Sequence, residues 1–216
     1  MGVTDQGLAD SRVEAHLGKV KSLVDLGCGD GSWLDAYSAP DAIGIDIDAA
    51  RLGVAPGPPA RTWTFISADL DAGIPLEDGR VDGVRANQVI EHIRNPLRLV
   101  AEVHRVLRPG GAFVATTPNI RYAKHVLRLA VLGEGPMTSH RGERTADDWD
   151  DGHIHYFTAR DLEWLAERAG FSAYHTEALI DRQGRFRGIR EALDRRRRHP
   201  IVKGLLSGNL LLVARK

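Results

Sequence analysis

The sequence predicts an open α/β fold, in which short buried strands alternate with helices along a chain of 216 residues. Three observations carry that prediction. Lys21 to Leu26 is a short apolar run of the kind that forms a buried strand, and glycines at 27, 29 and 31 follow it at once. Glycine lets the backbone turn sharply with positive φ and lets a ligand approach where a Cβ would collide. From Ser32 onward, Trp33, Leu34, Ala36 and Tyr37 mark a helix that packs back on the sheet. Strand, glycine turn and helix together open a nucleotide-binding unit, with the ligand at the strand's carboxyl end beside a helix N-terminus.

Composition sets the class. Hydrophobic residues make up 43% and aromatics 6%, as in an ordinary globular chain large enough for a real core. The formal net charge is zero, where a dedicated nucleic-acid binder would carry a basic surplus. The one cysteine, Cys28, excludes an internal disulfide and a cysteine-based zinc site, and reads as a small residue in a tight turn. No N-terminal run resembles a signal peptide and no segment reaches a membrane span, so the expectation is a cytoplasmic protein. One domain over 1–216, with a possible homodimer, completes the expectation.

The elements follow in order. A short helix is expected over about Ala9 to Leu17. After the first βα unit, Ala42 to Asp48 reads as a second strand ending in acid. Asp46 lies 19 residues beyond Gly27, where a carboxylate accepts hydrogen bonds from ribose hydroxyls. Asp48 suits a helix N-cap, and Pro56-Gly57-Pro58-Pro59 forbids regular structure. Thr62 to Ser67 gives a third strand, ending at Ala68-Asp69-Leu70-Asp71, and Val81 to Ala86 a fourth. Glu91 and His92 are expected to begin a helix through Leu107, with Leu97, Val100, Val103 and Leu107 at helical spacing. Arg108-Pro109-Gly110-Gly111 stops it, and Ala112 to Thr117 is a fifth strand.

Residues 120–152 exceed a minimal fold. Ile120 to Leu132 reads as an amphipathic helix with Ala123, Val126, Leu127 and Ala130 on one side. A polar loop, 133–152, then holds Met137, His140, Arg141, Arg144, Trp149 and several acids. A loop of this length inside a compact domain suggests a lid. Thr158 caps a helix from Ala159 to Ala169, which Gly170 ends. Ser172 to Leu179 and Asn209 to Ala214 are the sixth and seventh strands. The basic stretch between them, about 180–208, carries the run Arg195 to Arg198, read as an exposed face or, as the alternative, a receiver for an anionic glycan, phosphate or membrane surface.

The glycine spacing names a ligand class. Glycines at 27, 29 and 31 differ from the G-x-G-x-x-G of dinucleotide binders. Asp25, just before them, would repel a pyrophosphate but suits the ammonium of an amino-acid moiety. The stretch Val24-Asp25-Leu26-Gly27-Cys28-Gly29-Asp30-Gly31 resembles the first motif of class I S-adenosylmethionine-dependent methyltransferases. Asn87-Gln88-Val89-Ile90-Glu91-His92-Ile93, the run from Leu107 to Asn119, and the H-x-x-x-F-T of 153–158 resemble further motifs of that family, in the family's order. Its small-molecule branch, ubiquinone-biosynthesis-like or sugar O-methyltransferase-like, is the nearest likeness.

The resemblance implies a doubly wound, seven-stranded, mostly parallel sheet in the order 3-2-1-4-5-7-6, with an antiparallel last strand and the lid after the fifth. It implies S-adenosylmethionine as cofactor, bound by Asp25, Gly27, Cys28, Gly29, Gly31, Asp46, Ile47, Asp69, Leu70, Asn87 and Gln88. Asp69 takes the adenine-binding place, with Asp71 competing for it. Strand-four residues Asn87-Gln88-Val89-Ile90 are unlike the Pro-Pro-aromatic motif of base-amino methylators, so a small-molecule or glycan acceptor is expected and no nucleic acid.

A hydroxyl acceptor must lose its proton, which favours a positioned histidine or carboxylate. His153 and His92 are level candidates, and His140 in the lid comes next. Asp147, Asp148, Asp150 and Asp151 form either a solvated acidic loop or a Mg²⁺ site of the kind sugar O-methyltransferases use near such a lid. The expected reaction is oxygen methylation of a sugar or glycosylated small molecule. Alternatives are a small aromatic or lipid-like acceptor, and a regulatory module that binds the cofactor without catalysis.

Overall fold

A computed structural model describes residues 5–37, 39–48, 63–135, 138, 150–180 and 187–216. Its seven strands are β1 (Ser22–Leu26), β2 (Asp41–Asp46), β3 (Trp63–Ser67), β4 (Val81–Asn87), β5 (Leu107–Pro118), β6 (Ala173–Leu179) and β7 (Asn209–Arg215). They form one sheet in the order β3-β2-β1-β4-β5-β7-β6. β7 runs antiparallel to both neighbours, and the β1, β2, β3, β4 and β5 pairings are parallel. The helices are α1 (Asp5–Leu17), α2 (Ser32–Tyr37), α3 (Pro96–Val106), α4 (Ala123–Leu127), α5 (Ala159–Arg168), α6 (Arg187–Arg195) and α7 (Pro200–Leu205).

Alternation along the strands sorts the core into two layers. Val24, Leu26, Phe113 and Leu212 face one side, where Leu99, Val100 and Val103 of α3 and Leu162 and Leu165 of α5 meet them. Leu23, Val114 and Leu211 face the other, against Val13 and Leu17 of α1 and Trp33 and Leu34 of α2. Both faces are covered, as a largely parallel sheet requires.

Four expectations need correction. Glu91 and His92 do not begin a long helix. They sit in a single 3₁₀ turn, Ile90–His92, and α3 starts afresh at Pro96 with the Asn95 side chain accepting from Arg98 N. Proline disfavours α geometry at the residue before it and is well suited to the first helical position, so Asn95-Pro96 marks the start. The helix then ends at Val106, and β5 begins at Leu107, before the glycines expected to break it.

The amphipathic segment after β5 is helical only from Ala123, passes into a π-helical turn over Arg128–Leu132, and has no buried residue. The stretch read as a long basic connection contains α6 and α7. Within its arginine run, Arg197 and Arg198 are not merely an exposed face: each donates from Nε to Glu177, at 2.5 and 2.8 Å. The cap at Thr158 stands as expected, with a reciprocal bond between Thr158 and Asp161.

Candidate functional site

The carboxyl ends of β1, β2 and β4 lie side by side, because Leu26 pairs with Ile45 and with Ala86. In open α/β sheets ligands bind at that edge. The turn after β1 is held by Gly27 N and Cys28 N donating to Ile45 O at 2.7 and 3.2 Å. A Cβ at Gly27 would lie 2.4 Å from Val89 Cγ2, and one at Gly31 would lie 2.4 Å from the Trp63 ring. Gly29 has φ of +56° and nothing within 4 Å of a Cβ position. Two glycines are thus required by packing, while the middle one borders open space that a ligand can enter.

Asp46 closes this end. One carboxylate oxygen accepts from Gly29 N at 2.9 Å and the other from Asp48 N at 3.0 Å. Ile47 beside it is 69% exposed, an apolar face at the tip of β2 that suits a planar base. Asp69 is exposed and accepts from Asp71 N at 2.9 Å. Its rival Asp71 is occupied by Arg94 N at 2.8 Å, which leaves Asp69 the more accessible acid. Leu70 is part of the core. The Cys28 thiol is buried against Gly44, and burial pushes it up to about 12, in keeping with a small residue in a turn.

Asp25 departs from expectation. Strand alternation turns it toward α1 and α2, where it has no exposed surface and its carboxylate is engaged within the chain. Both its oxygens accept from Arg85 Nη1, at 2.8 and 2.9 Å, and Arg85 Nη2 reaches Asp10 at 2.8 Å. The guanidinium also lies 4.2 Å from the centre of the Trp33 ring. Burial pushes Asp25 up to about 6 against the pull of Arg85.

The open space beside Gly29, the exposed Ile47 and the acids at 46 and 69 fit an amino-acid nucleoside. The expected contacts at Asn87 and Gln88 stand at the end of β4. The Thr116 hydroxyl donates to Asn87 Oδ1, and Gln88 Nε2 donates to Thr116 Oγ1 at 3.2 Å. Gln88 holds φ of +55°, a strained value for a residue with a side chain.

Immediately beyond lies a histidine cluster. Glu91 O accepts from Ile154 N and His155 N at 3.0 and 3.1 Å, which fastens segment 153–157 against the 3₁₀ turn. The rings of His92 and His153 therefore meet edge to face, 4.8 Å between centroids. His92 is exposed, and its Nδ1 lies 3.2 Å from Gly152 O. His153 is buried, with Nδ1 2.8 Å from Thr138 Oγ1 and Nε2 4.0 Å from Glu91 Oε1.

The two histidines read as level in the sequence are thus distinguished. The His92 ring is exposed, with Nδ1 turned to Gly152 O. His153 is enclosed between Glu91 and the Thr138–Asp150 pair.

Glu91 was missed as a site residue. Its carboxylate is 1% exposed and burial raises it to about 7. The only sequence signal was an acid beside a histidine directly after a strand, which also fits a helix start. His140, Asp147 and Asp148 lie outside the described residues, as does the Asp151 side chain. Asp150 accepts from Thr138 N and Oγ1 at 2.9 Å each, so its carboxylate is engaged in anchoring that loop rather than standing in a solvated acidic site.

Comparison with known proteins agrees with this geometry. Residues 6–176 match a family model described as a methyltransferase domain. An uncharacterized methyltransferase of Mycobacterium avium is 34% identical over 169 residues, covering 72% of this chain and 66% of the relative. A ubiquinone biosynthesis O-methyltransferase of Methylococcus capsulatus is 31% identical over 127 residues, covering 56% and 53%. Other curated relatives are longer still, with the chain spanning 30% and 41% of two of them. Among solved structures, an S-adenosylmethionine-dependent methyltransferase of Mesorhizobium loti superposes with a TM-score of 0.66 at 23% identity, covering 99% of this chain and 98% of that one.

Proposed function

Since the chain belongs to the class I S-adenosylmethionine-dependent methyltransferases, we propose that it methylates a hydroxyl oxygen on a sugar or other hydroxyl-rich small molecule, with His92 receiving the proton. S-adenosylmethionine, when bound, supplies an electrophilic methyl group on a sulfonium sulfur. Gly29, Asp46, Ile47 and Asp69 are the residues that would hold it, at the rim formed by β1, β2 and β3.

The chain's own contribution is alignment and proton removal. Gln88 at the end of β4 leads into the 3₁₀ turn that carries His92, and Glu91 O holds residues 154 and 155 against that turn. Holding donor and acceptor in a near-attack geometry supplies up to ~7–11 kcal/mol of the acceleration. A base poised on the acceptor adds about 10²–10⁴-fold.

The observation that carries this reading is the His92 ring, exposed and with Nδ1 engaged on Gly152 O. It gives the family fold a group suited to neutral hydroxyl acceptors. The test is release of S-adenosylhomocysteine over a panel of sugars, glycosides and hydroxylated aromatics. Turnover confined to amines or thiols would refute oxygen methylation.

One observation favours the alternative of a lipid-like acceptor. The helical segment after β5 exposes Leu127, Val131 and Leu132 at 63, 68 and 62%. The panel therefore includes an alkylated phenol, and preference for it over every sugar would favour this alternative.

A further inference from the structure

The cluster of Glu91, His92 and His153 has the makings of a metal centre. One donor atom from each lies within 4.8 Å of the other two. The Glu91 carboxylate is 1% exposed, and no hydrogen bond of ordinary length reaches either oxygen. Leaving a buried polar atom unpaired costs about 1–3 kcal/mol, and more when it is charged. Such atoms are rare in native interiors and call for a missing partner. The Thr117 hydroxyl is the side-chain donor that acts on this carboxylate, and it brings no positive charge.

The histidines are already arranged as ligands are. A metal-binding imidazole nearly always donates its other N–H to a carbonyl or an oxygen acceptor, which fixes the tautomer and aims the free nitrogen. His92 Nδ1 has Gly152 O at 3.2 Å. His153 Nδ1 has Thr138 Oγ1 at 2.8 Å, and that hydroxyl donates in turn to Asp150 at 2.9 Å.

We propose that Glu91, His92 and His153 bind one divalent first-row transition ion, such as Mn²⁺ or Zn²⁺, with a coordination position left for the acceptor hydroxyl. Two imidazoles and a carboxylate suit such ions better than Mg²⁺, which prefers oxygen donors and retained water. The inference rests on the reading that this cluster activates a hydroxyl, and it deepens that reading. With the ion in place His92 would serve as a ligand in place of its role as proton acceptor, and the acceptor proton would pass to water from an oxygen polarised by the ion. That oxygen forms the new C–O bond as the S–CH₃ bond breaks, and S-adenosylhomocysteine leaves with the sulfur lone pair.

The second His–Glu cluster, His16, His175 and Glu177, serves as a control. Its carboxylate accepts from Arg197 and Arg198, whose positive charge disfavours a cation there.

The experiment is calorimetric titration of the full chain, first dialysed against chelator, with Mn²⁺, Zn²⁺ and Mg²⁺. The expected result is one Mn²⁺ or Zn²⁺ per chain, bound at least tenfold more tightly than Mg²⁺. Glu91→Gln and His153→Gln weaken it at least tenfold, and His175→Gln leaves it unchanged. His92→Gln, at an exposed position, gives the same loss should the buried variants misfold. Absence of saturable one-to-one binding, or equal affinity in wild type and all these variants, overturns the proposal. Metal-free enzyme with undiminished turnover on hydroxyls overturns the ion's role and leaves oxygen methylation standing. Ion binding through these residues, with methyl transfer only to amines, supports the site and refutes the functional reading.

Discussion

Two clusters in this molecule are built from the same residue types, two histidines and a glutamate, and their surroundings set them apart. At His16, His175 and Glu177 the carboxylate accepts from Arg197, Arg198 and His175, and sits 3.4 Å from His16 Nε2. At Glu91, His92 and His153 no Lys or Arg of the described residues pairs with the carboxylate, and His153 Nε2 stands off at 4.0 Å from Oε1. The first cluster ties α1 and the α6–α7 corner to β6, helped by the ion pair of Arg12 with Asp194. The second stands at the sheet edge where the glycine turn opens. Residue type proposes a site, and the state of hydrogen-bond satisfaction decides between scaffold and chemistry.

Activity should break most sharply along this line. His92→Ala is expected to lower kcat by about 10²–10⁴-fold while the cofactor Kd moves less than about threefold, as for loss of a group that activates the acceptor hydroxyl, whether as base or as ligand. His175→Ala should leave kcat within about twofold. A steady-state assay of both variants on one hydroxylated acceptor checks the contrast, and equal losses would abolish it.

Stability should divide the other way. Glu177→Gln removes charge-assisted bonds from two guanidinium groups and is expected to cost about 1.5–3 kcal/mol in urea unfolding. Glu91→Gln, measured without added metal, should cost less than about 1 kcal/mol, because no guanidinium or ammonium group of the described residues is bonded to that carboxylate.

The Glu177 effect also carries a pH signature. Burial pushes its carboxyl up, but hydrogen bonds from His16, Arg198 and Arg197 outweigh this and hold it far below the usual carboxylate range. A depressed acid stabilises the fold above its unfolded pKa and loses that contribution as the pH falls. The unfolding gap between wild type and Glu177→Gln should therefore be full at neutral pH and narrow steadily below about pH 4.5. A gap that widened on acidification would contradict the ion-pair account.

The smallest effect tests the strap that carries His153. Thr158→Ala removes the capping bond to Asp161 and should cost about 1 kcal/mol, with a greater proportional loss of turnover than of cofactor binding.

Much of the frame was legible because its signals are local. Apolar runs, the glycine turn and the Thr158 cap each depend on residues within a few positions of one another. The break at Asn95-Pro96 was equally local, and was overridden by the helical spacing of Leu97, Val100, Val103 and Leu107.

The rest depends on contacts across the chain. Glu91 and His153 meet only because Glu91 O binds amides more than sixty residues away. Asp25 is buried because strand alternation turns it to the α1 side, where Arg85 of the neighbouring strand pairs with it. Arg197 and Arg198 look like any charge run until β6 places Glu177 beneath them. Motif spacing therefore pointed to the carboxyl edge of the sheet, while the groups gathered around Glu91 depended on tertiary contacts.

The most direct test follows the methyl group itself. Wild type and His92→Ala are each given cofactor carrying an isotopically labelled methyl and a hydroxylated acceptor. The account predicts label on the acceptor's oxygen, released at least a hundredfold faster by wild type, with matching cofactor affinities. Label on nitrogen or carbon, or equal rates from the two proteins, would contradict it.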